Sequence, residues 1–189
     1  MINLIVLLIT FLLLLMIAMV VGRAILTKQK IIGQPPVPVF YFILAKILVM
    51  VNLTFLLLKG FKIPVHNLFE PSMPVELIAL ASLIAGTVIL FLSTFKLNRD
   101  LIFGLSSSGD HKLQTKGIYS FSRHPFYLGF LFILLSSCLL NPNYINIAAF
   151  LGAWLIHHFI MIKEEQFLIS QYGEEYRQYA KKVNRYMTL

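Results

Sequence analysis

Five long, predominantly apolar stretches dominate this chain: Ile2–Val21, Val39–Leu58, Val75–Phe95, Pro125–Leu140 and Ile145–Ile162. A helix of about 20 apolar residues crosses the hydrocarbon core of a bilayer. In that solvent every backbone N–H and C=O must be satisfied within the segment, so helix is the form these stretches are expected to take. The balance of the 189 residues agrees, with 58% hydrophobic and only 13% charged. A soluble domain carries roughly twice that charged fraction. The expectation is an all-α integral membrane protein with five transmembrane helices, folded as one membrane domain over residues 1–189. Ile2–Val21 fits a signal peptide poorly, because no basic residue precedes it and its apolar run exceeds a usual signal core.

The connections read as follows. Gly22–Pro38 is a linker closed by Pro35, Pro36 and Pro38, which stop a helix. Lys59–Pro74 is a proline-bearing loop, and Lys96–Arg123 is a polar loop of 28 residues, a length that usually carries function. Lys163–Leu189 is a charged, tyrosine-rich tail. Thirteen of the 16 basic residues fall in the first linker, the long loop and the tail. The positive-inside rule then places the N-terminus outside and the C-terminus in the cytoplasm, with the plasma (inner) membrane as default location. This placement accounts for most of the net charge of +8 and leaves nucleic acid without a role. Lys46 lies within the second span, where it either snorkels, the reading its shallow depth favours, or faces an interior polar partner. Asn52 reads as interhelical glue.

The chemistry is expected where a polar, aromatic segment meets the bilayer, at Gly117–Gly129, GIYSFSRHPFYLG. Pro125 suits the first turn of the fourth span. Asn141-Pro142-Asn143-Tyr144 makes a tight turn, so the fourth and fifth spans form an antiparallel hairpin. The two arms measure roughly 24 and 30 Å at helical rise. Arg123, His124 and Tyr127 therefore return to the depth of Lys163, Glu164 and Glu165. Arg123 offers a fork to a carboxylate or phosphate. Glu164 and Glu165 offer negative charge to an ammonium or sulfonium, and Tyr119, Phe126 and Tyr127 offer aromatic faces. A zwitterion with an aromatic base fits such a site. An interfacial ion-pair cluster within an aromatic belt is the plainer reading of the same residues.

Other chemistries find less support. His111, His124, His157 and His158 do not stand at the spacing of a zinc site, and the one cysteine, Cys138, is in an apolar run. No metal is expected. Ser106–Ser108 lacks a nucleophile-elbow context, and no glycine-rich nucleotide loop is present.

His111-Lys112-Leu113-Gln114, Gly117-Ile118-Tyr119, Arg123-His124-Pro125-Phe126-Tyr127, Glu164-Glu165 with Leu168, and Tyr172-Gly173-Glu174-Glu175-Tyr176 with Tyr179 occur in that order. Together they resemble the isoprenylcysteine carboxyl methyltransferase family, within the wider group of integral membrane methyltransferases that includes phospholipid methyltransferases. The resemblance covers roughly Leu92–Tyr186, which divides the domain into spans without a recognised motif (1–91) and a methyltransferase-like core (92–189). It implies S-adenosylmethionine as methyl donor, held on the cytoplasmic side by His111, Lys112, Leu113, Gln114, Tyr119, His124, Pro125, Phe126, Tyr127 and Glu164. Arg123 is expected to anchor a carboxylate, and Glu165 or a histidine to serve as base for an amine acceptor.

Two positions depart from the family pattern. Family members acting on prenylated cysteine carry an arginine one turn before the glutamate pair, attributed to the substrate carboxylate, where this chain has Ile160. The tail also lacks the usual proline, with Met187 and Thr188 after Tyr186. The expected activity is transfer of a methyl group to a lipid-like or prenyl-like acceptor entering from the bilayer, as O-methylation of a carboxylate. The alternatives are N-methylation of a phospholipid or small amine, a sterol-type reductase, and a non-catalytic scaffold or small transporter.

Overall fold

The computed structural model describes residues 1–27, 35–97 and 113–188. Among them every regular element is helical: α1 (Ile2–Thr27), α2 (Val39–Gly60), α3 (Met73–Leu97), α4 (Pro125–Leu140), α5 (Tyr144–Tyr172) and α6 (Glu174–Lys182), with a 3-10 turn at Gly117–Ser120. Four of these, α1, α2, α3 and α5, are long and apolar enough to cross a membrane. The chain thus has the make-up of an all-α integral membrane protein. α4 has only 16 residues, bracketed by Pro125 at its first turn and by Asn141-Pro142 at its end.

Close backbone approach sets the packing of α3 on α4. A Cβ on Gly86 would lie 2.7 Å from the Gly129 carbonyl, and one on Gly129 would lie 2.9 Å from the Gly86 carbonyl. Small residues at such a crossing let two membrane helices approach to van der Waals contact. Ser82 adds a hydrogen bond to the Phe132 carbonyl. α1 seats Leu7 against Gly60 of α2, and Leu48 of α2 lies against Gly152 of α5. Val6, Leu13, Leu53, Leu56, Leu83, Leu90 and Ile133 fill the space between.

The hairpin of α4 and α5 is held by polar side chains. Asn146 donates to the Ser137 carbonyl (2.9 Å) and the Asn141 carbonyl (3.0 Å), and its own N–H is capped by Asn143 Oδ1 (3.0 Å). Ser137 donates to the Asn52 carbonyl at 2.8 Å, and Cys138 Sγ lies 3.7 Å from Asn52 Oδ1. Asn52 thus ties α2 to the hairpin, the interhelical role its position in an apolar span suggests. At the same end the Leu68 N–H donates to the Pro142 carbonyl, joining the α2–α3 loop to the turn.

α5 differs from expectation. It does not stop at Ile162 but runs 29 residues to Tyr172, where Gly173 at φ +54° ends it. The extension is stabilised by Leu168, Ile169 and Tyr172, which pack on Tyr176, Tyr179 and Val183. Glu164 and Glu165 therefore stand inside a long helix rather than at the start of a tail. The rest of the tail is the short helix α6, followed by an irregular strap in which the Asn184 N–H donates to Thr188 Oγ1 at 2.8 Å.

Candidate active site

The 3-10 turn leads from Gly117, at φ +70°, to Ser122 and Arg123. Ser122 Oγ accepts the His124 N–H at 3.1 Å and donates to the Arg185 carbonyl at 3.0 Å. The strap pairs its backbone with the same segment: the Arg123 N–H donates to the Asn184 carbonyl and the Thr188 N–H to the Phe121 carbonyl. The chain ahead of α4 is thus held between the end of α6 and the middle of α5.

These contacts bring two helix segments together around a pair of carboxylates. Tyr127 donates its hydroxyl to Glu164 Oε1 at 2.6 Å. His124 lies between the glutamates, with Nε2 3.2 Å from Glu165 Oε1 and Nδ1 3.6 Å from Glu164 Oε2. Arg123 reaches Glu165 Oε1 at 3.0 Å and donates to the Ala180 carbonyl at 3.2 Å. Lys163 turns outward to Gln166 and takes no part. The proximity inferred from arm lengths therefore holds for the glutamate pair and not for the lysine.

Glu165 has a further partner in Arg185, whose Nε and Nη2 donate to its two oxygens at 2.9 and 2.8 Å. Such a two-point fork is among the stronger charge-assisted arrangements. Next to it, Tyr186 shares a 2.7 Å hydrogen bond with His158 and stacks on its ring. Neither Arg185 nor Tyr186 stands out in the sequence as a site residue. A basic residue in a tail with several others reads as orientation charge, and the only pointer was its place beside the last aromatic of the resembling stretch.

The remaining expected residues divide. Tyr119 is buried, and its carbonyl accepts the Tyr179 hydroxyl at 2.6 Å. Burial pushes the hydroxyls of Tyr119 and Tyr176 up and that of Tyr179 up to about 12, so all three remain protonated donors. Leu113 packs on the Tyr176–Tyr179 cluster, and Gln114 is half-buried beside it in sequence. Pro125 is buried at the start of α4. Phe126 packs edge-to-face on Tyr127 and Phe130, against the intramembrane core. His111 and Lys112 lie outside the described residues.

Two helical turns deeper along α5, His157 is buried with its ring centroid 5.4 Å from that of Tyr127. Lys46 of α2 is half-buried, sits 5.0 Å over the Phe42 ring, and acts electrostatically on both Glu164 and His157. This favours the interior reading of Lys46 over snorkelling. Two buried polar atoms at the site make no hydrogen bond among the described residues, Arg123 Nε and the Tyr176 hydroxyl. No group of three or more His, Cys, Asp or Glu side chains among the described residues is placed to hold a metal ion.

Comparison with known proteins gives a consistent set of likenesses. The phospholipid methyltransferase family model matches residues 73–175, taking in α3, the site segment, the hairpin and all of α5. Methanethiol S-methyltransferase 1 of Bradyrhizobium diazoefficiens is 33% identical over 125 residues, 61% of this chain and 42% of that protein. The Schizosaccharomyces pombe protein-S-isoprenylcysteine O-methyltransferase is 40% identical over 75 residues, 39% of this chain and 32% of its own length. A probable protein-S-isoprenylcysteine O-methyltransferase of Oryza sativa subsp. indica is 33% identical over 113 residues, 58% of this chain and 59% of that protein. The matched stretches thus span less than two thirds of these relatives.

Proposed function

This chain belongs to the phospholipid methyltransferase family, and from that premise we propose that it is an S-adenosylmethionine-dependent methyltransferase acting on a lipid-like or prenyl-like acceptor. One observation carries the reading: a carboxylate pair, Glu165 buried and Glu164 half-buried, is gathered against the start of α4 with two polar atoms, Arg123 Nε and the Tyr176 hydroxyl, left unbonded among the described residues. Buried polar atoms rarely go unpaired, and a ligand is one way they are satisfied. A zwitterion suits them, since Arg123 Nε can donate to a carboxylate while Glu164 faces a positive centre.

When bound, S-adenosylmethionine supplies an electrophilic methyl group on a sulfonium sulfur. The residues that would hold it are Leu113, Gln114, Tyr119, His124, Pro125, Phe126, Tyr127 and Glu164, with His111 and Lys112 assigned the same role from the resemblance alone. Tyr127 orients Glu164 through its hydroxyl, and His124 keeps the two carboxylates apart from one another. Much of the rate enhancement is then positioning.

The pairing of Glu165 changes the roles expected from sequence. A carboxylate that accepts from two guanidiniums is a weak base, so Glu165 organises the site instead of taking a proton. Arg123 reaches the same carboxylate through Nη2, which leaves its Nε as the donor for a ligand carboxylate.

In the bilayer, α4 completes a bundle of five spans with the N-terminus outside and the C-terminus, with the site, on the cytoplasmic side of the plasma membrane. The acceptor enters sideways from the lipid. Calorimetry of the detergent-purified protein tests the reading: S-adenosylmethionine and S-adenosylhomocysteine bind the wild type, and Glu164→Ala and His124→Ala abolish binding. A folded, monodisperse wild type that binds neither ligand sinks the proposal.

A further inference from the structure

Two polar atoms of the site are out of a ligand's reach as the chain stands. Arg123 Nε and the Tyr176 hydroxyl are buried and make no hydrogen bond among the described residues, and Tyr176 is only 1% exposed. A ligand that satisfies them reaches them only after something over them has moved. Residues 180–185 wrap Arg123. Its N–H donates to the Asn184 carbonyl, and its Nη1 donates to the Ala180 carbonyl at 3.2 Å. Its Nη2 meets Glu165, the carboxylate that Arg185 also forks.

The elements around the site differ in how firmly they are seated. α4 and α5 enter the intramembrane core through Ile133, Leu134 and Ala153. α6 is seated by Tyr176, Tyr179 and Val183, which pack with Leu113, Leu168, Ile169 and Tyr172. The strap Asn184–Thr188 has no such seat. None of its side chains is buried, and none belongs to either apolar cluster. It is held instead by hydrogen bonds, the Arg185 fork and a ring stack. Segments with few buried apolar contacts are the first to open locally. The strap is also closed on itself, with the Asn184 N–H on Thr188 Oγ1 at 2.8 Å and Asn184 Nδ2 on the Met187 carbonyl at 3.1 Å, so it can move as one piece. Val183, where α6 gives way to extended backbone at φ −123° and ψ 128°, keeps its side chain in the tyrosine cluster. A hinge just beyond it leaves α6 in place.

Two catches hold the strap against α5. Arg185 forks Glu165 inside the site. Tyr186 shares a 2.7 Å hydrogen bond with His158 and lies over its ring, with centroids 6.0 Å apart and 10° between the planes. His158 in turn stands beside Trp154 and Phe159, both of them exposed. The second catch contains no residue assigned to the donor, so it can be weakened without altering the donor's own contacts.

We propose that the strap Asn184–Thr188 is a latch on the donor site, lifting just beyond Val183 to admit the methyl donor to Arg123 and Tyr176 and closing again over it. The inference rests on the methyltransferase reading above. A ligand that enters only the lifted state associates at a rate scaled by the fraction of chains that are lifted. The same lifting precedes its release. Weakening a catch that never touches the ligand therefore speeds entry and release alike and leaves affinity nearly unchanged.

The test uses full-length protein in detergent, with S-adenosylhomocysteine as the probe and stopped-flow binding as the readout. Tyr186→Phe keeps the ring stack and loses the hydrogen bond to His158. His158→Phe removes the same bond from the other side and guards against a fault peculiar to the first variant. Association and dissociation rates each rise about fivefold in both variants, as for one lost hydrogen bond, and Kd stays within about twofold. Amide hydrogen exchange in the donor-free wild type reads the strap without any ligand. The Arg123 and Thr188 N–H groups, bonded to the Asn184 and Phe121 carbonyls, exchange faster than the Val183 N–H, bonded within α6 to the Tyr179 carbonyl. Adding S-adenosylhomocysteine slows the first two. Unmoved rates in both variants overturn the latch, as does a rise in dissociation alone, or Arg123 and Thr188 amides that exchange no faster than that of Val183. In each of these cases a wild type that still binds the probe leaves the functional reading standing. A wild type that binds neither S-adenosylmethionine nor S-adenosylhomocysteine overturns the functional reading and this inference with it.

Discussion

Glu165 is the most heavily partnered side chain of the site, bound by Arg123, His124 and Arg185 together. Removing one partner from a buried charge cluster leaves the others uncompensated, which is costlier than the pair is worth. Glu165→Leu therefore lowers stability by about 3–5 kcal/mol, read as a thermal shift in detergent. Arg185→Lys keeps the charge but not the two-point fork, so a smaller loss of about 1–2 kcal/mol is expected in the same assay. An unshifted melting curve for Glu165→Leu would mean that the carboxylate does not organise the segment. At this scale, the sequence contained Arg123, His124, Tyr127, Glu164 and Glu165 as recognisable neighbours of apolar runs. It concealed Arg185, because that residue reaches the site only through a strap whose position depends on the turn at Gly173.

Between elements, the decisive contact is the crossing of α3 and α4, where backbone meets backbone. Gly86→Ala and Gly129→Ala each place a methyl group under 3.0 Å from main-chain atoms, which cannot yield without separating the helices. Each is expected to cost about 1–3 kcal/mol. Gly152→Ala makes the contrasting case: its new methyl meets only the flexible tip of Leu48, at 2.9 Å, and a side-chain rotation relieves it. Equal melting shifts for the three variants would contradict this account. The apolar runs announced which segments form helices, since length and hydropathy are local properties. They did not announce where two glycines far apart in sequence would touch. Nor did they reveal that α5 continues past its apolar run, because its last turns are stabilised by α6, a tertiary effect absent from any single window.

In the whole molecule, two groups of contacts mark opposite ends. The Leu68–Pro142 hydrogen bond ties two connections at one end, and the Arg123–Glu165 and Arg185–Glu165 pairs gather three segments at the other. Charge placement predicts that the second of these ends is the cytoplasmic one. The orientation itself is tested with cysteine scanning, made simple by a single native cysteine, Cys138, that is buried. A membrane-impermeant maleimide applied to intact cells is expected to label Glu70→Cys and to leave Lys181→Cys unlabelled until the cells are opened; the reverse pattern would invert the orientation. A last consequence comes from α4. Its 16 residues measure about 24 Å, against a hydrocarbon core of about 30 Å. No residue of α4 is exposed, so neighbouring helices rather than lipid tails surround it. In the five-span arrangement proposed above, the shortfall then recesses Arg123 and His124 within protein walls, where a lipid-borne molecule and a water-soluble donor can meet, each without leaving its own phase.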